Sequence, residues 1–169
     1  MFYEYAINLP LNRLNAFYDL LEKIKKEQKQ KNISDKELME MKLIDDMFDF
    51  STQIRFSIDK AVAPAELLTG KTSPKTTNKY ETIDEYQAEI KEIIKFLEEL
   101  KEEDFINKNA EYSSLYFEQG KKLVGKNIFY FFLPNMFFHM TTAYDIVRHF
   151  GFDVGKADFL GRATFDLFE

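Results

Sequence analysis

The sequence predicts an all-α bundle of four main helices, with a short irregular or β-hairpin insertion before the last helix. Three observations predict it. Apolar residues recur at helical spacing in four separate stretches, two of these stretches open on a capping-box pattern, and the spacing breaks down between Asp104 and Gly125. At 169 residues the chain reads as one domain, 1–169, long enough to bury a substantial core.

Residues 2–9 have no clear period, and Pro10 suits a first helical turn, where its missing amide costs nothing. Leu11, Leu14, Phe17, Tyr18, Leu21 and Ile24 then share one face, and the run KKEQKQK ends this first helix as a solvated face rather than a basic patch. Ser34 and Glu37 have the form of a capping box. The helix they open is expected to run to about Val62 and to stop ahead of Pro64. Its inner stripe is Leu43, Met47, Phe50, Ile54, Ile58 and Ala61. Asp46 and Gln53 flank that stripe on the same side, and Asp59 projects away from it. Gly70 to Glu81 is a polar loop whose GKT triplet lacks the first glycine and the preceding strand of a phosphate-binding loop. Thr82 and Glu85 form the second capping box and open the third helix, with Ile83, Tyr86, Ile90, Ile93, Ile94, Leu97 and Leu100 inward. In the aperiodic segment that follows, EQGK reads as a turn, and the segment as a small hairpin or an irregular excursion.

The fourth helix starts near Lys126 and ends at Gly151, a natural left-handed cap. Projected at about 100° per residue, Met136, Met140, Ala143, Val147 and Phe150 fall on one side with His139 and Ile146 beside them, so His139 points inward. Asn135 sits one turn earlier. Pro134 has no amide hydrogen and its ring clashes with the Tyr130 carbonyl, which predicts a kink or π-bulge near Tyr130. Asp145, Arg148 and His149 lie on the outer side, so the two histidines cannot share a site through this helix. The run Phe129 to Phe132 reads as core or dimer contact. The tail from Phe152 is too apolar to be left in water. It is expected to pack back on the bundle or on a second subunit, with Asp145, Arg148, Lys156 and Asp158 docking it.

Composition narrows the function. Acidic side chains number 29 and basic ones 23, a net charge of -6, which argues against a nucleic-acid partner because phosphate contact needs an excess of Lys and Arg. The absence of cysteine excludes disulfides, thiolate metal sites and a cysteine nucleophile. MFYEYAINLP has no basic segment followed by an apolar run, so a cytoplasmic protein is expected. The most apolar stretch, Ile128 to Val147, carries Pro134, Asn135, His139 and Asp145, which suits a buried helix and not a membrane span.

PNMFFHMTTAYDIVRHFGFDVGKADFLG, Pro134 to Gly161, resembles the C-terminal signature of a domain-of-unknown-function family in the DinB-like four-helix-bundle superfamily. LIDDMFDFSTQIRFSIDKA, Leu43 to Ala61, resembles the second helix of the same family. The resemblance implies a DinB-like bundle and, through helix pairing common in the superfamily, a homodimer. It also implies what this chain lacks. Active superfamily members hold a divalent metal with three histidines, one on the second helix and two at i and i+4 on the fourth. If His139 matches the first of that pair, the second falls on Ala143, and the second helix has no histidine.

What remains is a polar corner made by His139, Asp46, Gln53 and Asn135. Facing helices of bundles build ligand sites from such inward polar side chains, and a buried histidine near a carboxylate has a shifted pKa. The plainer reading is a hydrogen-bonded network that fixes helix register. We expect a small-molecule ligand at this corner, no metal and no cofactor, in a protein that is non-enzymatic or at least metal-free. A divergent metal-dependent hydrolase or thiol-conjugating transferase, using His139 and Asp46, is the first alternative. A structural interaction module with no pocket is the second.

Overall fold

Leu14, Phe17, Leu20, Leu21 and Ile24 close one side of α1 (Leu9–Gln30) against the rest of the chain. The computed structural model that contains this helix describes residues 1–76, 78–113 and 120–167. Helical winding begins ahead of Pro10, with a π-helical turn over Glu4–Asn8 in which the Leu9 amide donates to the Glu4 carbonyl. Pro10 cannot donate, so the turn leading into it widens.

The second helix of the sequence reading is two helices. α2 (Asp35–Glu40) starts on the expected Ser34–Glu37 capping box. The chain then leaves the helical path, and α3 (Phe50–Thr69) starts afresh on Asp49, whose side chain accepts from the Thr52 amide at 2.9 Å. Asp45, Asp46 and Asp49 favour turns and caps over helix interiors, and the Phe50 amide closes the loop on the Met41 carbonyl at 2.8 Å. Leu43 is therefore exposed, not part of an inner stripe. α3 also passes through Pro64 and ends at Gly70, in the left-handed conformation. Burial of Val62, Ala65 and Leu68 around Pro64 outweighs the lost hydrogen bond, the usual result when tertiary packing opposes local propensity.

α4 (Ile83–Glu99) opens on the Thr82–Glu85 capping box and buries Ile83, Tyr86, Ile90, Ile93 and Leu97. The Tyr86 hydroxyl joins α4 to α3, donating to the Ser51 carbonyl at 2.8 Å and accepting from the Tyr80 amide at 3.1 Å. The insertion is a hairpin of β1 (Glu111–Tyr112) and β2 (Leu123–Val124), antiparallel, with Glu111 opposite Val124. In EQGK, Glu118 and Gln119 lie outside the described residues.

A tight helical turn over Gly125–Ile128 leads into α5 (Phe129–His149). No π-bulge marks Tyr130: α5 is assigned as α-helix throughout Phe129–His149. Pro134 falls in its second turn and deprives only the Tyr130 carbonyl, and Tyr130 stands at the surface, where water can serve it. Met136, His139, Met140, Ala143, Ile146 and Val147 are buried as expected, whereas Phe150 is 45% exposed because the helix has already ended. α5 lies along α3, α1 pairs with α4, and α3 also packs on α4 and α1.

The tail folds back on α1 through α6 (Lys156–Leu160) and α7 (Arg162–Phe165). Arg13, buried on α1, donates to the Leu160 carbonyl at 2.8 Å and to the Thr164 hydroxyl. Lys23 pairs with Asp158 at 2.9 Å, and Arg148 donates to the Phe152 carbonyl at 3.1 Å. Phe152 and Val154 are buried, while Phe165 and Leu167 are exposed. Two of the expected docking residues make no such contact among the described residues: Lys156 is exposed, and Asp145 has no hydrogen bond or ion pair. Arg13, on the far helix, does the work expected of them. No helix among the described residues is long and apolar enough to cross a membrane.

Candidate functional site

The four residues of the predicted polar corner line one cavity of about 540 Å³ between α3, α5, the 41–49 loop and the hairpin. His139 and Asn135 come from α5 and Gln53 from α3. Asp46 comes from the loop, so it reaches the cavity from an exposed rim and not from a helix face. Around them stand Met47, Phe48, Phe56, Lys60, Tyr112, Phe131 and Phe138, giving the cavity mainly aromatic walls. Part of this lining could have been read from spacing. Gln53, Phe56 and Lys60 are at i, i+3 and i+7 on α3, and Phe131, Asn135, Phe138 and His139 at i, i+4, i+7 and i+8 on α5, each set a single helical stripe. Tyr112 carries no such signal.

His139 is the centre of the arrangement. The residue is 8% exposed, and its ring stacks on Phe56 with centroids 4.9 Å apart and meets Phe138 edge-on at 5.3 Å. The Nδ1 to Gln53 Oε1 distance is 2.7 Å. Gln53 donates its own amide to the Phe48 carbonyl at 3.3 Å, which turns Oε1 toward the imidazole. A carboxamide oxygen only accepts, so Nδ1 carries the hydrogen and Nε2 carries the lone pair. Nε2 has no hydrogen-bond partner among the described residues and is not sealed from solvent, and His139 lines the cavity.

Burial lowers the His139 pKa to about 4, and the positive charges of Lys60 and Arg55 press the same way. The ring is neutral at pH 7. A base this weak is poorly matched to proton abstraction near neutrality, but a neutral imidazole is a good hydrogen-bond acceptor. The Asp59 carboxylate presses the pKa upward but is outweighed, and the ring's hydrogen-bond partner is the neutral Gln53. Lys60 is held by Asp59 at 2.6 Å, and Asp59 also takes Lys75 at 2.7 Å. Asp59 is thus half-buried in an ion-pair network and does not project into solvent; these lysines keep its carboxyl below the usual range against the opposing effect of burial.

The three-histidine metal centre implied by the resemblance does not fit these residues. Ala143 stands where a second imidazole would be needed, the α3 position facing His139 is an amide whose oxygen is already engaged, and no group of three or more His, Cys, Asp or Glu gathers among the described residues.

The chain matches the family described as Domain of unknown function (DUF1993) over residues 2–160. Among solved structures it is similar to the crystal structure of a DinB family member protein from Shewanella denitrificans, with 31% sequence identity, 94% of this chain and 91% of that chain covered, and a TM-score of 0.84. A search of curated proteins found no match. The helical order, the hairpin before α5 and the near-complete match together establish the relationship: the chain belongs to the DUF1993 domain family, within the DinB-like superfamily.

Proposed function

We propose that the protein binds a small, largely apolar molecule in the cavity beside His139 and catalyses no reaction on it. The observation that carries this reading is a neutral imidazole, locked through Nδ1, that offers a bare Nε2 to a cavity with aromatic walls. The weak basicity of His139 and the lack of a cysteine support binding over catalysis. The hydrolase and transferase readings rest on a metal for which His139 and Asp46 line the cavity, but no third His, Cys, Asp or Glu joins them among the described residues, and two protein ligands hold a metal poorly. A structural module with no pocket has no need of a cavity lined by Asp46, Gln53, Asn135 and His139 together.

A set of uncharged aromatic fragments, titrated at millimolar concentration and read through the Met47 methyl and His139 imidazole resonances, tests the reading. At least one fragment should shift these signals saturably while leaving those of Leu20 and Ile24 in place. Uniform silence across the set would remove it.

The same reading keeps a homodimer. Tyr5 and the 78%-exposed Tyr130 flank a shallow hollow floored by Phe129, Leu133 and Pro134, an apolar surface that a second copy would cover. Sedimentation velocity at micromolar concentration should give twice the chain mass; a monomer at every concentration would contradict it.

A further inference from the structure

We propose that the molecule held at His139 is an uncharged aromatic compound that donates a hydrogen bond, from a hydroxyl or a ring N–H, to the imidazole Nε2. The inference rests on the binding reading above and specifies the chemistry of the ligand. The direction of the hydrogen bond follows from a chain of fixed donors. The Phe48 carbonyl orients the Gln53 amide, the Gln53 oxygen takes the Nδ1 hydrogen, and Nε2 is left able only to accept. A ligand that offers only acceptors at this point would set two lone pairs against each other.

The charge of the ligand follows from the cavity lining. Among the described residues, Lys60 and Asp46 are the charged side chains that line it, one of each sign. Lys60 is already held by Asp59 at 2.6 Å, with its ammonium 5.4 Å from the Phe56 centroid. Asp46 is exposed at the rim, where water screens it. An anionic or cationic ligand would lose its hydration without finding an uncommitted countercharge inside. The shape follows from the walls. Phe48, Phe56, Tyr112, Phe131 and Phe138 line the cavity from the 41–49 loop, α3, the hairpin and α5, an aromatic environment in which a flat ring packs well.

Indole and N-methylindole separate the terms, because they share a flat uncharged ring and differ in the N–H donor. In chemical-shift titrations of the whole protein, indole should bind about tenfold more tightly or better, the effect of one buried hydrogen bond. Indole should also move the His139 Nε2 resonance, which N-methylindole leaves in place. In His139→Phe the aromatic wall is kept and the acceptor removed, so the two probes should bind with equal affinity, at the level of N-methylindole in the wild type. Should that variant fail to fold, the Nε2 shift in the wild type decides alone. Equal affinity of both probes for the wild-type cavity would overturn the donor requirement and leave the binding reading standing. Failure of both to bind would overturn the two together.

Discussion

Replacing Gly161 by valine should cost about 3 kcal/mol or more, or release the C-terminal segment from α1 outright. Gly161 has φ +74° and ψ 160°, a region open in practice only to glycine. A Cβ built there would overlap the Ala16 side chain and stand 2.7 Å from the Ala16 Cα. The clash is with backbone on a long packed helix, so α1 cannot yield. The tail must move instead, which takes the Leu160 carbonyl and Thr164 hydroxyl away from the buried Arg13 guanidinium. Burial already presses the Arg13 pKa down, and an Arg13 without these acceptors would be a charge with few partners. Denaturant melts of Gly161→Val, with limited proteolysis of the tail, check this. A stability within 0.5 kcal/mol of wild type and an intact tail would contradict it.

Lowering the pH from 7 to 4 should weaken the native protein by up to about 3 kcal/mol through His139 alone. The native pKa lies at about 4, below the ordinary 6.5 of an unfolded histidine. Above pH 6.5 the ring is neutral in both states and the contribution is complete. Between the two values the unfolded chain takes up a proton that the native protein refuses, so stability falls with pH and stays lost below 4. Glu89 acts in the opposite sense. Burial raises its pKa, so its contribution is present below the ordinary carboxyl pKa and shrinks as pH rises. The difference between wild type and His139→Phe isolates the histidine, since Glu89 is common to both. Equal pH slopes in the two proteins between pH 6.5 and 4 would show that His139 titrates normally.

Local physics made most of the helices readable. The capping boxes at Ser34 and Thr82 are formed as their spacing requires, and the inward stripe of α5 placed His139 correctly. Where the reading failed, a long-range effect overrode a local one. Pro64 should have stopped α3, but Val62, Ala65 and Leu68 are buried on both sides of it and carry the helix on. The break at 41–49 went the other way. Leu43 and Met47 fit a helical stripe, yet Asp49 offered a cap to a new start, and the cap won.

The polar corner was legible for a partly mistaken reason. Gln53, Asn135 and His139 were placed by helix geometry, and they do line one cavity. Asp46 was assigned to the same helix as Gln53 and arrives there by way of the loop. Arg13 was missed as the anchor of the tail because a lone arginine on an amphipathic helix looks like any solvated charge until the segment it holds is folded over it. The cavity's aromatic character was half visible in the spacing of Phe56, Phe131 and Phe138; Tyr112 depended on where the hairpin crosses.

The proposed function depends most on which nitrogen of His139 carries the proton. Long-range nitrogen–proton correlation spectra of the imidazole, recorded on the wild-type protein at pH 7, read this directly. The predicted result is a neutral ring with the hydrogen on Nδ1 and a bare Nε2, unchanged until the pH approaches 4. A hydrogen on Nε2, or a ring that is charged at pH 6, would mean that Gln53 does not hold the imidazole as described and that the cavity offers a donor where an acceptor is required.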